Sequence, residues 1–223
     1  MIKNATLAPV SRLRDAVLLA VLGTSLLSAC APLLVGGAMV GGAMVAVDRR
    51  TTGTQVDDEG IELRISNRVS ERFGDKVHVN ITSDNRSVLL TGEVPDDKVK
   101  AEIEKIAAGA TNGRGGVTNE LVVGAITSYS ARANDAGITG KVKARFVESG
   151  KFNALHVKVV TEASVVYLMG IVTETEGTNA AEVARTTGGV RKVVKVFDYC
   201  KAGDTGCAPR AKPKAEEPKK SGT

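Results

Sequence analysis

Val88-Leu-Leu-Thr-Gly92 recurs later in the chain as Val166-Tyr-Leu-Met-Gly170. Each segment is preceded by a second repeated motif, Asp58-Glu-Gly60-Ile61 in the first case and Asp135-Ala-Gly137-Ile138 in the other. Repetition of several motifs in one order indicates an internal duplication. The sequence therefore predicts two copies of one small domain.

Each copy predicts a helix, a hairpin of two strands, a second helix and a last strand. Apolar residues at helical spacing mark the first helix, and alternating residues mark the strands. This order predicts an α+β fold of two tandem small two-layer α/β sandwich domains with αββαβ topology. The predicted strands cover residues 77–81, 87–91 and 117–123, and then 156–161, 165–169 and 190–199. The core positions predicted for the two first helices are Ile61, Ile65, Val69, Phe73, Ile138, Val142 and Phe146.

The composition limits what these domains can do. Aromatic residues make up 3% of the 223 residues and Trp is absent, so the cores must be built from Val, Ile, Leu and Ala. So few aromatic residues leave little for a base-stacking surface, and we expect no nucleic-acid partner. The formal net charge of +5 suits an anionic surface, either lipid or polyanion. Two His and three Cys have no convincing zinc-binding spacing, so no metal site is expected.

The N-terminal residues have the parts of an export signal. An apolar run over residues 16–27 follows basic residues and leads into Leu27-Ser-Ala-Cys30. We predict that residues 1–29 are a lipoprotein signal peptide. Covalent diacylglycerol and an N-acyl chain on Cys30 are then the only cofactors expected. The apolar run is shorter than the ~20 residues that span a bilayer. The alternative is an uncleaved transmembrane helix, because apolar residues continue to Val47.

Lipidation also predicts a location. Three acyl chains exceed the two signals that stable membrane anchoring needs. Ala31 follows the cysteine, and the sorting convention of enterobacterial lipoproteins reserves Asp at this position for retention in the inner membrane. We therefore expect a lipid anchor in the outer membrane and domains that face the periplasm.

Two cysteines, Cys200 and Cys207, remain in a compartment that oxidises thiols. The turn-forming residues between them favour a disulfide loop. The alternative is a pair of free thiols in a tail. The residues from Lys201 onwards are rich in Lys, Pro, Glu and Ala and lack apolar periodicity, which predicts disorder beyond the Cys207 loop.

The predicted domain bounds follow from these features. They are 1–29 for the signal peptide, 30–56 for the lipid anchor and Gly-rich tether, 57–124 for the first domain, 125–134 for a linker, 135–199 for the second domain, and 200–223 for the Cys loop and the disordered basic tail.

The order of motifs resembles a known family. A helix, a hairpin, a Leu-x-Gly-x-Val motif, an amphipathic helix and a Gly-Val before the last strand resemble the BON domain. Two such domains behind a lipidation motif resemble the dual-BON outer-membrane lipoproteins, over roughly residues 48–199. The resemblance implies a non-enzymatic protein that supports outer-membrane integrity and is enriched at division sites. It also implies a link to outer-membrane assembly or division proteins.

The same resemblance implies that the first helix of the second domain binds an anionic phospholipid membrane. Cations within this helix lie at helical spacing, on the side away from the predicted core. Characterised relatives carry a Trp where this chain has Gly137, so charge should dominate the binding. The residues predicted to bind phospholipid are Gly137, Ile138, Lys141, Lys143 and Arg145.

No residue pattern indicates catalysis, and we predict that the chain is not an enzyme. Ser83-Asp84-Asn85 lacks the Ser-x-x-Lys that a β-lactamase would need. His78 and His156 occupy matching repeat positions, for which a structural role is predicted rather than metal binding. The alternative to lipid binding is a non-enzymatic scaffold that docks on an envelope complex such as the β-barrel assembly machinery. A third possibility is contact of the basic tail with peptidoglycan or lipopolysaccharide.

Overall fold

The structure, a computed structural model, describes residues 48–204 and 206–207. The predicted signal peptide, Cys30, most of the Gly-rich tether and the basic tail beyond Cys207 lie outside the described residues.

The first domain places two helices on one face of a small sheet. Strand β2 is central, antiparallel to β1 and parallel to β3 and β4. The last strand, predicted as one piece over 117–123, is split in two, and at the break the side chain of Asn119 accepts a hydrogen bond from Leu121 N. The elements are α1 (Thr52–Phe73), β1 (His78–Asp84), β2 (Ser87–Val94), α2 (Asp97–Ala110), β3 (Val117–Asn119) and β4 (Val122–Val123).

The second domain repeats this arrangement with a three-stranded sheet of order β5-β6-β7. Strand β6 is antiparallel to β5 and parallel to β7. His156 lies in a 3₁₀ turn capped by Asn153, so β5 begins later than the predicted strand over 156–161. The elements are α3 (Tyr129–Ser149), β5 (Lys158–Glu162), β6 (Val165–Val172), α4 (Glu174–Arg185) and β7 (Lys192–Tyr199). The predicted α+β fold with two tandem domains is confirmed.

The repeated Asp ties each first helix to the hairpin of its own domain. Asp135 accepts hydrogen bonds of 2.8 Å from the backbone N of both Ala163 and Ser164. These turn residues have φ values of 48° and 63°, which are costly for residues other than glycine. The carboxylate stabilises that conformation, and Asp58 holds the turn of the first domain in the same way.

The glycine of the Leu-x-Gly-x-Val motif permits close strand pairing. Gly170 has a φ of 133°, and a Cβ there would lie 2.1 Å from the carbonyl O of His156. Gly92 faces the carbonyl of His78 in the same way, with a φ of 115°. Only glycine fits these two positions, which explains why both repeats carry it.

The predicted core positions are confirmed. In each domain the inward residues of the first helix pack against the central strand and the second helix. Phe73 lies at the edge of its cluster and is partly buried. The fully enclosed members of the predicted set are Ile61, Ile65, Val69, Ile138, Val142 and Phe146.

The starts of both first helices differ from the predicted bounds. Helix α1 begins at Thr52, inside the predicted tether, and α3 begins at Tyr129, inside the predicted linker. Thr51 and Ser128 cap these helices, because their hydroxyl oxygens accept hydrogen bonds from backbone N groups in the first turn. The first turns contribute no apolar residue to the core, so the apolar periodicity begins too late to mark the helix starts.

The two domains contact each other through the sheet faces that their own helices do not cover. Leu89 of β2 is buried with Tyr167 and Met169 of β6. Polar contacts surround this cluster: Asn80 donates to Glu162 Oε2 at 2.6 Å. The outward residues of each central strand therefore form the interface between the domains.

Candidate membrane-binding surface

Helix α3 is apolar on its exposed side as well as its buried side. Tyr129 is 85% exposed and Val147 is 72% exposed, and five turns of helix place them on the same side. We call this strip the outer face of α3. Its remaining members are small exposed residues, namely Ala133, Ala136, Gly137, Gly140 and Ala144.

Two lysines flank the outer face of α3. Lys141 and Lys143 are exposed and lie on opposite sides of the strip. Of the two acidic residues in the helix, Asp135 is buried and Glu148 lies in the last turn. The middle of the strip thus combines small apolar residues with positive charge.

Arg145 is not part of this charged surface. Its Nη1 donates to the carbonyl O of Val183 at 3.2 Å and to Thr187 Oγ1 at 3.0 Å. The guanidinium therefore lies against the C-terminal end of α4, where the helix dipole favours a cation. This corrects the prediction that Arg145 binds phospholipid: its contacts connect α3 to α4.

Ile138 cannot contact lipid either, contrary to the prediction. Its side chain is 1% exposed and packs in the core of the second domain. Gly137 does lie on the surface, and a Cβ built there meets no atom within 4 Å. Packing alone would allow any side chain at that position.

Tyr129 is the surface residue that the sequence did not reveal. It lies within the predicted linker over 125–134, because the first turn of α3 contributes no residue to the apolar pattern. Its ring lies beneath the guanidinium of Arg132, with the Cζ atom 4.4 Å from the ring centroid. The Ser128 cap was the available signal, since Ser is a favoured residue immediately before a helix.

The strip ends beside a cavity of about 290 Å³. Lys143 and Val147 line it from α3, and exposed Leu155 lines it from the turn before β5. Burial raises the pKa of Asp84, on the far wall, to about 6, although Arg50 at 3.2 Å opposes that rise. Apolar and cationic groups thus share one end of the surface.

A disulfide bond forms a short loop directly after β7. Cys200 and Cys207 are joined, with their Cα atoms 5.7 Å apart. Cys200 N also donates to the carbonyl O of Val172 at 3.0 Å, which extends the pairing of β7 with β6. The start of the loop is therefore held at the end of β7 in the second domain.

Comparison with known proteins identifies both repeats. The family model described as "BON domain" matches residues 57–125 and 134–201. The chain belongs to the BON domain family. The outer membrane lipoprotein DolP of Haemophilus influenzae is 39% identical over 196 residues, which cover 87% of this chain and 98% of that protein. The resemblance to dual-BON proteins is confirmed, and this chain is a DolP-like dual-BON protein.

Two further relatives support the same assignment. A 21 kDa hemolysin of Actinobacillus pleuropneumoniae is 35% identical over 155 residues, covering 69% of this BON protein and 79% of the relative. The osmotically-inducible protein Y of Escherichia coli is 26% identical over 159 residues, covering 68% and 77%. None of these three names denotes an enzyme, and the absence of catalysis stays a prediction.

Within residues 48–204 and 206–207, no helix is long and apolar enough to cross a membrane. The likeness to DolP supports a place in the cell envelope.

Proposed function

We propose that this BON protein is a lipoprotein of the outer membrane that binds anionic phospholipid through the outer face of α3. In this proposal the acyl chains on Cys30 anchor the chain, and the second domain contacts the periplasmic surface of the membrane. The protein thereby supports outer-membrane integrity, including at division sites. The observation that carries the proposal is an exposed apolar strip flanked by Lys141 and Lys143.

The two lysines beside the strip are enough for a weak, reversible contact with the membrane. Each lysine near an anionic membrane contributes about 1 kcal/mol, so two lysines contribute about 2 kcal/mol. Together with the apolar strip this gives an unanchored protein weak binding that is measurable at low salt, and a tether strengthens the contact because it raises the effective concentration of the domain at the membrane. A lipid-anchored chain therefore needs only this modest surface to keep α3 on the bilayer.

The apolar part of the strip adds to the charge. Tyr129 is an amphipathic ring of the kind that lies at the headgroup level, and Val147 is exposed at the other end of the helix. Small residues between them let the helix axis approach the surface closely. Because Gly137 supplies no aromatic anchor, binding should depend on anionic lipid and weaken with salt.

A second candidate function, a scaffold for an envelope complex, is favoured by a different surface. Val56 and Leu63 of α1 are both exposed and lie two turns apart on one side of the helix. A partner protein docked on this side of α1 would cover both residues and remove their apolar surface from water. This surface belongs to the first domain, so it leaves α3 available for lipid.

Lipid titration followed by NMR tests the proposal. The sample is a chain that begins at Ala46, which keeps the whole compact unit that holds both domains. With phosphatidylglycerol micelles, the amide signals that shift should belong to the outer face of α3. Shifts confined to α1 around Val56 and Leu63, or no shift at all, would favour the scaffold.

A further inference from the structure

A buried cluster of two carboxylates and one imidazole lies between the domains. His78 Nδ1 is 3.0 Å from Glu93 Oε2 and 4.0 Å from Glu162 Oε1. The side chains of Glu93 and Glu162 are each 8% exposed. His78 and Glu93 are cross-strand partners in the first domain, and Glu162 ends β5 of the second.

The negative charge of the two carboxylates exceeds the positive charge of the groups around them. Among the described residues, no Lys or Arg forms an ion pair with Glu93 or Glu162, and His78 is the single basic partner. Two buried carboxylates without a cation are costly. A protonated imidazole would balance one of them at most. A divalent cation would balance both.

We infer that His78, Glu93 and Glu162 bind a divalent metal ion of the zinc type. One ligand atom from each residue lies within 4.8 Å of the others. Ligands at the usual zinc distances are about 3.3–3.5 Å apart in a tetrahedron, so shifts of about 1 Å or less bring the three into place. A nitrogen with two oxygens favours zinc, because magnesium and calcium prefer six or more oxygen ligands.

Neighbouring groups already orient the two carboxylates. Thr127 donates to Glu93 Oε2 from its backbone N at 3.1 Å and from its hydroxyl at 3.2 Å. Asn80 donates to Glu162 Oε2, which leaves Glu162 Oε1 directed at the imidazole. Such outer contacts fix ligand orientation in metal sites. Because Thr127 directly precedes the cap of α3, the metal would also fix where that helix starts.

At the matching position of the second domain, an arginine balances the carboxylate beside the histidine. His156 has Glu176 Oε1 at 3.6 Å, and Arg49 holds both oxygens of that carboxylate at 2.7 and 3.0 Å. A guanidinium supplies the positive charge there. The first domain has the same histidine and a buried carboxylate pair, with no guanidinium in place. The sequence did not reveal this difference, because Glu162 reaches the cluster only through the packing of the two domains.

Zn²⁺ titration of the full-length chain in detergent tests the inference, with affinity measured by competition against a chromophoric chelator. Wild type should bind Zn²⁺, and excess Mg²⁺ should not displace it. Glu162→Gln and His78→Gln should each weaken binding at least tenfold. Both variants keep a polar side chain of similar size, and circular dichroism confirms that they fold. Glu162→Gln also keeps an acceptor for Asn80.

His156→Gln is the matched control, because it removes the other histidine and leaves the cluster intact. Its affinity for Zn²⁺ should be within twofold of that of wild type. Zn²⁺ should also raise its unfolding temperature by the same amount as that of wild type. The inference is overturned if wild type binds no Zn²⁺. It is equally overturned if the folded Glu162→Gln and His78→Gln variants bind Zn²⁺ as tightly as the control.

Discussion

Arg49 and Glu176 form a bidentate ion pair that joins the segment before α1 to the second domain. Nη1 of Arg49 lies 2.7 Å from Oε2 of Glu176, and Nη2 lies 3.0 Å from Oε1. Arg49 also donates to the carbonyl O of Ile171 at 2.8 Å. The part of the predicted tether around Arg49 is therefore held against the second domain, which carries the candidate lipid-binding surface.

This pair predicts a pH-dependent contribution to stability. Burial opposes ionisation of Glu176, but hydrogen bonds from Arg49 and Thr173 outweigh it and lower the pKa to about 2. A lowered carboxyl pKa stabilises the folded state above the unfolded value, and that stability is lost as pH falls from about 4.5 to about 2. Glu176→Gln should therefore lower the free energy of unfolding by about 1–3 kcal/mol at pH 7.

Urea unfolding at pH 7 and pH 3 measures this difference. The cost of Glu176→Gln should be smaller at pH 3. Glu182→Gln is the control, since that carboxylate pairs with Arg185 in an exposed position and should matter little at either pH. An equal cost of Glu176→Gln at both values would contradict the account.

Arg145 should affect folding, not lipid binding. Arg145→Ala removes the hydrogen bonds to Val183 and Thr187. The free energy of unfolding should fall by about 1–3 kcal/mol. Lys141→Ala, at an exposed site of the same helix, should change it by less than about 0.5 kcal/mol. Urea denaturation of both variants distinguishes them, and equal stabilities would show that the Arg145 contacts contribute nothing.

Gly137→Trp should strengthen membrane binding. The site is open, and Trp is a favoured anchor at the membrane interface. The fraction bound to phosphatidylglycerol vesicles should rise several-fold and depend less on salt. Gly109→Trp is the matched control, an equally open helical glycine on α2 of the first domain. If both Trp variants bind like wild type, the outer face of α3 does not contact the bilayer.

The lipid anchor has its own test. Leu27-Ser-Ala-Cys30 predicts cleavage before Cys30 and acylation of its sulfur and new amino group. Intact mass of protein extracted from membranes should show the loss of residues 1–29 and the gain of acyl chains. Cys30→Ala should yield neither change. A wild-type chain that still begins at Met1 would refute the anchor.

The sequence was most informative where a residue's role depends on its near neighbours. Periodicity located Ile138, Val142 and Phe146 in the core, and the repeated motifs indicated the duplicated domain. The start of α3 was not visible in the sequence, because its first turn contributes no core residue and the Ser128 cap carries no apolar signal. Lys141 and Arg145 look alike at helical spacing, since the partners of Arg145 lie on another helix.

The central claim is that the outer face of α3 binds anionic phospholipid, and vesicle flotation tests it most directly. The chain beginning at Ala46 is mixed with phosphatidylglycerol or phosphatidylcholine vesicles at low and high salt. Lys141→Glu with Lys143→Glu reverses the two flanking charges. Lys98→Glu with Lys105→Glu makes the same change in net charge at exposed sites on α2.

Wild type and the α2 variant should float with phosphatidylglycerol at low salt, and less at high salt or with phosphatidylcholine. The α3 variant should bind at least tenfold less, since two reversed charges change the binding free energy by more than about 1.4 kcal/mol. Equal flotation of the two double variants would contradict the account and leave the scaffold as the function to pursue.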